Sequence, residues 1–462
     1  MTEQKQNGQF KKVIGLFGGI SLVAGMTIGS GVYYLGSYVL ERTDFSFGLA
    51  LLCWIIGGIV SILGGLCFAE LGACRPVAGG MTVYLSEAYH PALGFINGFS
   101  CFILTCSGSI ASLAMAAVTG FKGVFGLSEL AIKIIAILII VFFTAINLRG
   151  AKVGVAFQNF TMVARVVPII LIILVGIFMG GQSVDLSLSL EGTRAEGGGI
   201  TGAISMIGFA TFASLWAYEG WTNLNTVGEE MKNPKRDLPL AIIISLGFIT
   251  LVYTLFQFAI YRVLPSDQAI SMIQSGDIYL GNAVAQQLLG NFGHVLILAG
   301  MTIGILGTVN GDVLVFPRTY YAMAAEGFFP KKLAEIDEKT GVPVPATLAS
   351  SAVSILLVIF NSLQQLTDML VTLSALLNVL CIGAVIIYRI KYPELERPYK
   401  VWGGIPTVIV SMLLFIVLLV NNFIEDPKAA IIGFAIPVVG LIFYFYFRKQ
   451  NGGQDYQGKG IE

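Results

Sequence analysis

Long apolar runs separated by short polar connections fill the chain from residue 13 to residue 447. Twelve of them lie at 13–40, 47–70, 92–119, 130–147, 154–181, 200–229, 238–261, 292–324, 344–360, 367–390, 404–421 and 429–447. Each has the length a helix needs to cross a bilayer. They predict an all-α polytopic membrane protein with twelve transmembrane helices. The polar start, MTEQKQNGQFKK, leads straight into the first run. It lacks the short apolar core and cleavage site of a secretory signal, so the first span is expected to stay in the mature protein. The longest connection, 262–291, carries the mixed stretch SDQAISMIQSGDIYLGNAVAQQLLG and predicts an amphipathic helix on the outer surface. The tail GGQDYQGKGIE is polar and glycine-rich and is expected to be disordered.

An even number of spans puts both ends of the chain on one side. Of the 27 Lys and Arg, twenty fall in the tails, the loops grouped with them and the adjoining span ends, six fall in the opposite loops and span ends, and Arg165 alone lies deep inside a span. That asymmetry predicts cytoplasmic termini in a plasma membrane. Only 12% of residues are charged, against about 25% in a soluble domain. The formal net charge is zero, so no nucleic-acid partner is expected. The six cysteines sit in or at the ends of apolar runs, and His90 and His294 are the only histidines. Disulfide, metal and cofactor readings are therefore all poor. Nothing points to an enzyme with catalytic residues.

Two runs are interrupted by glycine at mid-depth. The first contains GMTIGSGVY (25–33) and the sixth LWAYEGW (215–221), with breaks near Gly29 and Gly220. Each is the first member of a block of five spans, the arrangement that marks an inverted-repeat transporter. A break exposes amides at the start of one half-helix and carbonyls at the end of the other. The amides attract anions and the carbonyls attract cations. The Ser30 and Gly31 amides are thus candidates for a carboxylate, and the carbonyls of Thr27, Trp216 and Glu219 for an ammonium. With Ile28, Gly29 and Ala217 they form a candidate site for a zwitterionic α-amino acid. The competing reading, close helix packing at small residues, better explains Gly58, Gly64 and Gly65.

Four stretches carry a family resemblance: IGSGVY at 28–33, FASLWAYEGWTNLNTVGEEMKNPKRDLPLAI at 212–242, VNGDVLVFPRTYYAMAAEGFFP at 309–330 and YPELERPYKV at 392–401. Through them the chain resembles the amino acid–polyamine–organocation superfamily, and within it the L-type amino acid transporter branch and its bacterial relatives. The resemblance implies a leucine-transporter-type 5+5 inverted repeat with broken first and sixth helices: repeats at 13–181 and 200–390, two extra helices within 404–447, and tails at 1–12 and 448–462. It also implies transport of L-amino acids by alternating access, often as obligatory exchange. Trp216 matches the family's aromatic gate. Arg165 stands where the family usually has lysine, a fixed cation that takes the place of sodium and bridges spans one and eight through carbonyls. Arginine has five donors and does not deprotonate, which disfavours a titrating role.

Asp312 in span eight is a candidate partner for Arg165. Cys106, Ser107, Gly108, Ser109 and Ala111 of span three are candidates to line a pocket for small side chains, and Asn378 to reach it. The cluster Glu229, Glu230, Lys232, Lys235 and Arg236 is a candidate inner latch. The family's human members bond a heavy subunit through a cysteine after span three; the loop GFKGVFGLSEL has none, so no disulfide-linked heavy subunit is expected. The leading expectation is a sodium-independent exchanger of neutral, small L-amino acids. A proton-coupled symporter using Glu219, a cationic amino acid or polyamine exchanger, and a membrane amino acid sensor are the alternatives.

Overall fold

The computed structural model describes residues 12–29, 31–119, 121, 125–275, 279–425 and 427–456. Every predicted span corresponds to helix. The first is split into α1 (Leu16–Thr27) and α2 (Gly31–Arg42), bent by 46° at the break. Then follow α3 (Phe47–Cys74), the short α4 (Met81–Ala88), α5 (Pro91–Thr119), α6 (Glu129–Asn147) and α7 (Ala151–Met179). The second block holds α8 (Gly199–Tyr218), α9 (Pro234–Val263), α10 (Ser266–Gln274), α11 (Leu280–Val315), α12 (Pro317–Ala325), α13 (Val344–Phe360) and α14 (Leu363–Lys391). The chain closes with α15 (Ile405–Glu425) and α16 (Pro427–Gln450).

Among the described residues, eight helices are long and apolar enough to cross a membrane unaided, and the bent α1–α2 pair makes a ninth span. Val344–Phe360 and Ile405–Asn421 are shorter apolar helices. Large side chains such as Phe178, Ile200 and Ile424 are left exposed on the outside of the bundle, where a bilayer would cover them. Local signals set several starts: Ser46 caps α3 by accepting from the Leu49 amide, Ser128 caps α6 in the same way, and Pro234 opens α9.

Three details depart from the sequence reading. The second half of span six is not an α-helix but two 3₁₀ turns, Trp221–Thr226 and Gly228–Glu230. The outer connection does form a helix, α10, with Ala269 and Ile273 buried; α11 then starts well before its apolar run and kinks at Gly290. The C-terminal tail is ordered as far as it is described. Tyr456 is fully buried against Phe328, its carbonyl accepts from the Ser86 hydroxyl, and Asp455 meets both Arg448 and the Tyr444 hydroxyl. Burial of one aromatic ring outweighs the weak propensity of a glycine-rich tail. Residues 457–462 lie outside the described part.

The loops that the charge count groups with the termini meet one another. Val13 and Ile14 amides donate to the Glu230 carbonyl, the Ala78 amide to the Glu229 carboxylate, Lys235 to Glu396, and Asn451 to the Gly327 carbonyl. The loops assigned to the other side also meet: Arg194 reaches Arg42 and Asp44, and Arg262 reaches Gly180 and Gln182.

Candidate substrate site

The two breaks lie against each other. Gly220 has φ +122°, which an L side chain rarely adopts, and a Cβ there would fall 2.9 Å from the Met26 carbonyl carbon. A Cβ on Gly31 would fall 2.9 Å from Ala217 Cα. Span one therefore crosses span six at backbone contact, and only glycine fits on either side of the crossing.

The carbonyls freed at the breaks have specific partners. The Gly29 amide turns back to the Thr27 carbonyl instead of continuing the helix to Gly25. The Gly25 carbonyl then accepts from the Thr308 hydroxyl (3.0 Å) and from Arg165. The Tyr253 hydroxyl, from α9, bridges the breaks by reaching the carbonyls of both Thr27 (3.0 Å) and Ala217 (3.1 Å). Nothing in the apolar run of span seven distinguishes this tyrosine from core, and sequence reasoning missed it.

Arg165 is fully buried. Its Nη1 donates to the carbonyls of Gly25 and Ile28 (2.8 Å) and to Thr308 Oγ1 (3.3 Å); Nε donates to the Thr161 carbonyl and Nη2 to the Thr161 hydroxyl. The guanidinium thus joins α7, the end of α1 and α11 through oxygens. It does not pair with Asp312, whose Oδ2 instead accepts from the Ser109 hydroxyl at 2.7 Å. Neutral oxygens suit a cation that must remain in place, because carbonyl dipoles solvate it without cancelling its charge.

A cavity of about 120 Å³ opens beside the crossing. Thr27, Gly29, Gly31, Trp216, Ala217 and Glu219 line it; Ser30 lies outside the described residues. Ile28 does not line it, since its side chain is buried and its carbonyl holds Arg165. The Thr27 carbonyl already accepts two hydrogen bonds, and the unpartnered group of that residue is its hydroxyl. A second cavity of about 20 Å³ shares Trp216, Glu219, Ser374 and Asn378 with the first, so these four form the wall between them. Of the small residues of span three, Cys106 and Ser109 line the cavity. Ser107 turns away to the Phe102 carbonyl, Gly108 packs against Leu370, and Ala111 is buried in the core. Just before them the helix widens into a π turn at Cys101–Thr105, and both of its end residues face the cavity.

The latch cluster resolves into one buried pair. Glu230 and Arg318, 2% and 1% exposed, meet at 2.6 Å, while the Glu230 carbonyl holds Val13 and Ile14. Lys235 and Glu396 pair in the open. Nearby, Glu87 accepts from Arg75 and from the Tyr388 hydroxyl; burial pushes its carboxyl above the usual range in spite of Arg75.

Residues 14–447 match the model of the amino acid permease family. The chain is 29% identical over 451 residues to the serine/threonine exchanger SteT of Bacillus subtilis (strain 168), covering 97% of this chain and 99% of that protein. It is 30% identical over 453 residues to the b(0,+)-type amino acid transporter 1 of Mus musculus, covering 96% and 90%. It is 28% identical over 449 residues to the cystine/glutamate transporter of Homo sapiens, covering 95% and 86%.

Proposed function

Because the chain belongs to the amino acid permease family, a family of membrane transporters rather than enzymes, we propose that it is a sodium-independent exchanger of neutral, small L-amino acids included, working by alternating access. The observation that carries this reading is the crossing of the two broken spans beside a cavity, with a buried arginine on the carbonyls of the first. The α-carboxylate is held by the amides that begin α2, at Ser30 and Gly31. The α-ammonium sits against the Trp216 and Glu219 end of α8, with the Thr27 hydroxyl as a further acceptor and the Glu219 carboxylate as countercharge. Trp216, in the wall between the two cavities, is the gate. Arg165 supplies the cation that a sodium-coupled transporter would take from solution.

An inverted 5+5 repeat accounts for the position of each break in the first helix of its block. The clustering of terminal-side loops and the excess of Lys and Arg in them support cytoplasmic termini in a plasma membrane. All six cysteines are free, and the loop after span three has none to offer a heavy subunit. The test is a panel of labelled amino acids in proteoliposomes, with and without internal amino acid, in sodium and in choline. Uptake that requires internal amino acid and is indifferent to sodium supports the reading; strict sodium dependence removes it. One observation favours a second reading. Glu219 lines both cavities beside Asn378, as a proton carrier would, and acidification of the vesicle interior during uptake would select it.

A further inference from the structure

Two thiols face the cavity, and the π turn in α5 brings them together. In a regular α-helix, residues five apart point about 140° away from each other, so Cys101 and Cys106 would lie on different faces. Instead the Cys106 amide donates to the Cys101 carbonyl and closes the wider turn Cys101–Thr105. Both cysteines line the cavity, and their side chains lie within reach of each other. Turns of this kind are frequent at functional sites, yet neither end of an amino acid substrate needs a thiol. Among the described residues no other cysteine lines the cavity, and Cys53, Cys67 and Cys381 are fully buried elsewhere. Within the pair, Cys101 is half-buried and Cys106 is 7% exposed, so a reagent in the cavity meets Cys101 first.

We propose that Cys101 and Cys106 form a redox-active dithiol that closes to a disulfide in the cavity wall and slows exchange. The inference rests on the proposed alternating access, which presents the cavity in turn to the outer medium and to a reducing cytoplasm. The oxidant is a small disulfide. The Cys101 thiolate attacks one of its sulfurs, forming a mixed disulfide and releasing one small thiolate. The Cys106 thiolate then attacks the Cys101 sulfur and releases the second. The two cysteines lose two electrons, which reduce the small disulfide, and their two protons end on the two thiols released. Closure reaches the transport machinery through the contacts that the turn carries. Tyr320 of α12 donates its hydroxyl to the Cys101 carbonyl at 3.2 Å and packs its ring edge-on to Phe102. Joining the ends of the turn therefore fixes both the cavity wall and the seat of α12.

The test treats the reduced full chain in proteoliposomes with 2-hydroxyethyl disulfide and reads both peptide mass and exchange of labelled alanine. A peptide spanning both cysteines should become lighter by two hydrogens, while exchange falls severalfold and returns with dithiothreitol. Cys106→Ser should stop at a mixed disulfide on Cys101. Cys101→Ser/Cys106→Ser should exchange equally before and after treatment. Failure of the wild type to form the internal disulfide would overturn the switch. A loss of exchange that persists in the double variant would do the same. Exchange by the reduced protein that closure leaves untouched overturns the switch alone; no exchange by the reduced protein overturns the exchanger reading as well.

Discussion

Replacing Arg165 by alanine removes five hydrogen bonds, of which three tie α7 to the break in α1 and to Thr308 of α11 and two stay within α7 on Thr161. The two to the Gly25 and Ile28 carbonyls act on the break itself, and each is charge-assisted, worth about 1.5–3 kcal/mol. Their loss weakens the clasped form of the break by about 3–6 kcal/mol, or 10²- to 10⁴-fold in its population. Exchange turnover in Arg165→Ala should fall accordingly. A second perturbation separates this from general damage. Gly307 faces the guanidinium so closely that a Cβ there would lie 1.6 Å from Nη2. Gly307→Ala should therefore displace Arg165 and slow exchange nearly as much as Arg165→Ala does. Added to Arg165→Ala, it should cost less than it does alone, because the guanidinium it collides with is gone and only Thr161 Oγ1, 2.6 Å from the same Cβ, remains in its way. Turnover is read as internal-substrate-dependent uptake at saturating external amino acid, with thermal unfolding of the purified variants as a control for folding. Wild-type turnover in Arg165→Ala, or full additivity in the double variant, would refute the clasp.

Tyr253→Phe keeps a ring that packs on Trp54 and Tyr218 but deletes the hydroxyl shared by the Thr27 and Ala217 carbonyls; it should cost about 1–2 kcal/mol, read as a 5- to 30-fold loss of exchange efficiency. Glu219→Gln keeps shape and removes charge, so the apparent substrate constant should rise with little change in the pH profile of exchange; a variant that exchanges without the proton movement of the wild type would give the symporter reading instead. Gly31→Pro deletes an amide at the start of α2 and also brings a Cβ against Ala217 at the crossing; through both it should abolish binding of amino acids, detected by loss of ligand-dependent thermal stabilisation. Tyr456→Ala empties a fully buried ring site against Phe328 and should destabilise the protein by about 3–5 kcal/mol, seen as a lower unfolding temperature in detergent; an unchanged temperature would show that the tail does not add to stability.

The parts of this protein that could be read from its sequence are those governed by solvent. Helices must hide their backbone in lipid, so the spans appear as apolar runs, and the membrane exacts the same arithmetic from every one of them. Breaks are legible for the related reason that glycine and an acid at mid-depth violate that arithmetic: Gly29, Gly220 and Glu219 stand out because they are costly anywhere except beside a cavity. Arg165 is legible as an interior residue on the same ground. What crosses a break is a different matter. Tyr253 and Thr308 are as compatible with a packed core as with a bridge, and only the folded chain brings them to the carbonyls of Thr27 and Gly25. The partner of Asp312 was unreadable because Ser109 lies 203 residues away on a helix whose register is shifted by the π turn at Cys101–Thr105. Side-chain contacts to freed carbonyls leave no periodic trace, since each depends on one residue at one depth. The sequence therefore marks where the backbone is open, and the packing of α5, α7, α9 and α11 around that opening decides which side chains close it and which, like Asp312, are left lining the cavity.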